Sequence, residues 1–115
     1  MEKFTNIEKG NVLIEVVNLD KATGENADEF KSILLKNIEL DKINIIVDIH
    51  QCEFLDSTFI SSLLIALKAA IKKGGKLKIA SPKQDVAKML EATGMNRVFD
   101  IYLNIPDAVK SFSHN

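Results

Sequence analysis

The chain has 115 residues and a mass of 12.8 kDa, the size of one ordinary domain. With 46% hydrophobic and 27% charged residues it is neither a disordered tail nor a fibrous protein. Fifteen basic against sixteen acidic residues argue against a general nucleic-acid footprint, and with Arg97 the only arginine no arginine cluster for phosphate or base reading can be built.

Cys52 is the only cysteine, which excludes an internal disulfide and a cysteine-based zinc site. The longest unbroken apolar run, Leu63 to Leu67, is far short of the roughly 20 residues of a membrane helix. The opening MEKFTNIEKG has no apolar signal-peptide core. A soluble, cytoplasmic protein without membrane insertion is expected.

In chain order, Phe4 to Ile7 reads as a short strand, and Gly10-Asn11 supplies a turn. From Val12 to Val17 apolar residues then alternate between two faces. After a loop over residues 18–24, Asn26 with Glu29 resembles a capping box, and Ala27, Phe30, Leu34 and Ile38 predict a helix over about 26–38. Ile43, Ile45, Val47 and Ile49 give the strongest strand, and Ile46 adds a second apolar face, as in a buried parallel sheet. A loop from His50 to Asp56 leads into a helix opened by Ser57. Its apolar series is Ile60, Leu63, Leu64, Leu67, Ala70 and Ile71, closed by Lys72-Lys73-Gly74.

Lys76 to Ala80 predicts a strand with Leu77 and Ile79 inward. Ser81-Pro82-Lys83-Gln84 reads as a second capping box for a helix carrying Val86, Met89 and Leu90 and stopping at Gly94. Val98 to Tyr102 is a last strand, and Pro106 opens a terminal helix with Ala108, Val109 and Phe112. The order β-β-α-β-α-β-α-β-α over residues 1–115 implies one α/β domain with a mixed, mostly parallel sheet.

In such sheets functional groups gather beyond the carboxyl ends of the strands. Asp56 and Ser57 occupy that position. Ser57 has two readings: an N-cap contributing about 1 kcal/mol, or a phosphorylation site. A phosphate would add about −1.5 to −2 of charge, tolerated at a helix N-terminus but repelled by carboxylates on a partner.

The chain resembles the STAS domain family, which includes bacterial anti-sigma factor antagonists and the cytoplasmic domain of sulfate transporters. The resemblance lies in Val47-Asp48-Ile49 followed by Phe54-Leu55-Asp56-Ser57-Thr58, with Leu19-Asp20, Ala22-Thr23, Gly74-Gly75-Lys76-Leu77, Leu90 to Met95 and Val98-Phe99 in matching order. It implies a non-enzymatic switch without cofactor or metal, phosphorylated on Ser57 by a partner kinase that is itself the anti-sigma factor. The unphosphorylated form would bind that partner and release a sigma factor. Asp20, Asp56, Ser57 and Thr58 would form the contact surface. Phe59-Ile60-Ser61 stands where many phosphorylated members have Gly-Leu-Gly, so Phe59 is either a partner anchor or a packing residue. The alternative is a non-switching scaffold or transporter-associated subunit with Ser57 as a cap.

Other chemistry finds little support. A serine hydrolase would need a base from His50 or His114 and a Gly-x-Ser-x-Gly elbow, which is absent. Asp20, Asp48 and Asp56 could converge on a magnesium ion, although Asp48 is better read as a turn residue. Cys52 reads as a small buried side chain. Lys68, Lys72, Lys73, Lys76 and Lys78 read as a solvated helix side and sheet edge.

Overall fold

The computed structural model describes residues 2–113, so His114 lies outside the described residues. Strands β1 (Phe4–Lys9) and β2 (Val12–Val17) form a hairpin through Gly10, whose φ of 58° the turn requires. Strands β4 (Asn44–Asp48), β6 (Lys76–Ala80) and β7 (Ile101–Tyr102) then add in parallel, giving the sheet order β1-β2-β4-β6-β7. Lys21–Ala22 (β3) and Phe54–Leu55 (β5) pair in a separate two-stranded sheet, within segments whose sequence predicts loops.

Helices α1 (Gly24–Glu39), α2 (Ser57–Lys72) and α3 (Gln84–Ala92) bury their apolar sides on one sheet face, and α4 (Ile105–Phe112) covers the other. Mixed strand direction and helices on both faces match the expected fold class. On the three-helix face Phe4, Phe30 and Phe59 stack in series, with centroids 4.6 and 5.5 Å apart. That stack ties β1 to α1 and α1 to α2.

Several local expectations are corrected. Thr23, not Asn26, caps α1, its Oγ1 accepting from the Glu25 amide, and Asn26 is buried inside the helix. Ser81 does not cap α3. Its amide donates to the Tyr102 carbonyl, its φ is 63°, and the helix starts later, after Lys83, without a side-chain cap. Residues Met95–Arg97 form a 3-10 turn, so the last strand is shorter than Val98 to Tyr102. Ile71 is exposed, while Phe59, Ser62 and Ala66 join the buried side of α2, because α1 packs against that side.

Lys78 is also corrected: β6 is not an edge strand, and Lys78 is buried under α4. Its Nζ donates to Ser111 Oγ at 2.8 Å and lies 4.2 Å from the Phe112 ring centre. On the opposite face Glu15 is buried beneath α1, with Oε2 accepting from Asn37 at 2.7 Å and Oε1 unpartnered. Burial pushes its carboxyl up to about 7, against smaller opposing effects of Asn37 and Lys42.

Candidate functional site

The N-termini of α1 and α2 meet at the carboxyl end of the parallel strands. The β3–β5 pairing brings them there: the Asp20 carbonyl accepts from the Glu53 and Phe54 amides at 2.7 and 3.2 Å, and the Ala22 carbonyl accepts from the Asp56 amide at 3.1 Å. A single carboxylate then joins the two helices. Asp56 Oδ1 accepts from the Phe59 amide at 2.9 Å, and Oδ2 accepts from the Gly24 amide at 2.9 Å. A side-chain carbon at Gly24 would sit 3.4 Å from Thr58 Cβ, so Thr58 packs against the start of α1.

Asp20, Asp56, Ser57 and Thr58 are therefore brought together. The cap expected of Ser57 is corrected to Asp56, whose side chain is half-buried; Ser57 is the first residue of α2 and exposed. Phe59 is the second correction. It is 0% exposed, stacked on Phe30, and presents nothing to a partner. Its amide is used by the Asp56 cap, and its ring lies against Phe30 of α1. Phe54 is the apolar residue at the surface here, 50% exposed. The sequence predicts a loop there and gives no signal for it; in the two-residue strand Leu55 faces inward and Phe54 outward.

The rim of the site is acidic. Asp20, Glu25, Asp28 and Glu53 are exposed on the segments that the β3–β5 pairing and the Asp56–Gly24 bond join, with Lys83 3.7 Å from Glu53. Carboxylates at helix N-termini complement the helix dipoles. Asp48 does not join them. Its Oδ1 accepts from the His50 amide at 3.0 Å and lies 3.0 Å from His50 Nδ1, which closes a turn and occupies the histidine. Among the described residues no group of three or more His, Cys, Asp or Glu side chains is placed to hold a metal ion. Burial, with Asp48 and Asp20 adding to it, pushes the Cys52 thiol up to about 12, which makes it a poor nucleophile. No helix among the described residues is long and apolar enough to cross a membrane.

The STAS domain family profile matches residues 9–108. The fold is shared with TM1081 of Thermotoga maritima, a candidate anti-sigma factor antagonist, at 24% identity and TM-score 0.87 over 96% of this chain and 95% of that one. The Bacillus cell fate determinant SpoIIAA, solved in its phosphorylated form, matches at 12% identity and TM-score 0.72 over 95% and 98%. The murine anion transporter Slc26a9 matches at 18% identity and TM-score 0.78 over 95% of this chain and 19% of the transporter.

Proposed function

Because the chain belongs to the STAS domain family, we propose that it is an anti-sigma factor antagonist, a protein-binding switch controlled by phosphate on Ser57. The unphosphorylated form binds an anti-sigma factor that is also a serine kinase, and so frees a sigma factor for transcription. The chain is a cytoplasmic kinase substrate without catalytic activity or cofactor.

The observation that carries this reading is the setting of Ser57. It is exposed at the first position of a helix whose start is fixed from outside by Asp56, so the hydroxyl is presented on a rigid element without itself holding the helix. Thr58, also exposed, stands beside Ser57 and next to Gly24. Asp20, Asp56 and Thr58 frame the contact, and the half-exposed Phe54 supplies an apolar anchor in place of the buried Phe59. The helix N-terminus tolerates the phosphate; partner carboxylates do not. A repulsion of about 3 kcal/mol weakens binding roughly a hundredfold.

The likeness to an anion transporter favours a second reading, a transporter-associated regulator in which Ser57 does not switch. Affinity capture from native lysate with wild-type and Ser57→Asp baits separates the two. A serine kinase held by wild type and lost by the variant supports the switch. Equal retention of a transporter by both baits supports the second reading.

A further inference from the structure

The exposed side of α2 does more than present Ser57. At helical spacing it carries Ser57 and Ser61 in its first half, Ile65 near the middle, and Lys68 and Lys72 in its second half, all exposed. Ile65 is 46% exposed and lines a shallow apolar groove with Ala69, Lys68 and Lys72. Neither Lys68 nor Lys72 lies within ion-pair distance of a carboxylate among the described residues, although Lys3, Lys31, Lys42, Lys73, Lys76 and Lys83 each do.

The stripe is self-complementary in the antiparallel sense. Ser57 and Lys72 are placed symmetrically about the Leu64–Ile65 midpoint, and so are Ser61 and Lys68. A two-fold axis across the helix at that point lays Ser57 opposite Lys72, Ser61 opposite Lys68 and Ile65 opposite Leu64 of the copy, which leaves the two Ile65 side chains flanking the axis. The neighbouring helix reinforces this polarity. Asp56 ties the N-termini of α1 and α2 together, and at the other end Lys73 Nζ donates to the Ile38 carbonyl at 3.0 Å and to Asp41 at 2.8 Å. The helices therefore run parallel, and exposed Glu25 and Asp28 of α1 lie at the end where Lys72 of a second copy arrives.

We propose that this α2 face is a self-association surface for a second copy of the chain, packed antiparallel, and that phosphate on Ser57 tightens it by pairing with Lys72 of the other copy. One pair of 16-residue helices covers less than a standard interface of about 1,600 Å². The apolar centre alone thus gives a weak dimer, and two symmetry-related phosphate–ammonium contacts decide its population. Phosphorylation would then also cover the phosphoserine.

The inference rests on phosphorylation of Ser57 in the proposed switch, but its test needs no kinase. The 115-residue protein with phosphoserine incorporated at position 57 during synthesis is compared with unmodified protein by sedimentation velocity over a concentration series. The phosphoprotein is expected to dimerise at least about tenfold more tightly, and Lys72→Glu to remove that gain. In the phosphoprotein Ile65→Cys is expected to cross-link between copies under mild oxidant while Ile71→Cys, exposed but off the axis, does not; Cys52 is buried and does not compete. A phosphoprotein no more associated than unmodified protein overturns the proposal and leaves the kinase-partner reading standing. So does equal cross-linking at both positions. Monomeric phosphoprotein whose Lys72 is needed to co-sediment with phosphatidylserine vesicles makes the stripe a lipid surface and overturns it too.

Discussion

Asp56 accepts a 2.9 Å hydrogen bond from the amide of Gly24, the first residue of a helix that begins thirty-two positions earlier in the chain. The same carboxylate caps its own helix at Phe59. One side chain therefore fixes the relative placement of two helix starts and, with them, the surface around Ser57.

Replacing Asp56 should remove its cap of α2 and its bond to the Gly24 amide at once, while the Thr23 cap of α1 remains. Asp56→Ala is expected to cost about 2–3 kcal/mol, given roughly 0.5–2 kcal/mol for a single cap. Asp56→Asn keeps one acceptor oxygen and should recover part of the loss. Urea titration of the two variants measures both effects. Ser57→Ala, at a position that does not cap, should stay within about 0.5 kcal/mol of wild type.

Phe59 and Phe54 should separate stability from binding. Phe59→Ala empties the end of the Phe4–Phe30–Phe59 stack and is expected to destabilise the fold by about 3–5 kcal/mol. Phe54→Ala trims a half-exposed ring and should leave the urea midpoint nearly unchanged while weakening capture of the kinase partner. A small loss for Phe59→Ala would show that the stack contributes little.

Glu15 should make stability fall as pH rises. Its folded-state carboxyl titrates near 7 against a reference of 4.5, so the folded form holds the proton more tightly than the unfolded chain. Stability is then fully present below about 4.5, declines as pH rises toward 7, and levels off above it, a change on the order of 3 kcal/mol. Glu15→Gln keeps an acceptor for Asn37 and removes the charge. Its advantage over wild type should be small at pH 4 and largest near pH 8, read from denaturation midpoints across that range.

Gly75 should tolerate no side chain. An added Cβ would overlap the Ile43 backbone, to which the next residue, Lys76, donates a 2.9 Å hydrogen bond. Gly75→Ala is expected to cost at least about 1–3 kcal/mol, as overpacking does, whereas Gly74→Ala loses only its positive φ with open space around it. Thermal unfolding of the pair distinguishes steric overlap from backbone strain.

Much of the fold could be read from residue order because its signals are local. The alternation of Val12 to Val17, the double-faced run around Ile46 and the glycine after Lys73 each report periodicity or helix termination over a few neighbours. The helix starts were harder. Asn26, Ser57 and Ser81 each carry the right side chain for a cap; Asn26 and Ser57 lost the role to equally suitable neighbours, Thr23 and Asp56, and Ser81 lost it to a distant contact. What tips the choice is tertiary: Asp56 is anchored by its second oxygen to the Gly24 amide, and the Ser81 amide is held by the Tyr102 carbonyl.

The candidate site divides in the same way. The segment from Phe54 to Thr58 was visible in the sequence as a loop entering a helix beyond a buried strand, and its position follows from right-handed β-α-β connection. Only the tertiary structure decided that Phe59 faces Phe30 and that Phe54 faces solvent, and that Lys78 lies beneath α4 and not on an edge. Helical and strand periodicity fix which residues share a side of an element. Which side is buried depends on what packs against it, and that is set by residues far away in the chain.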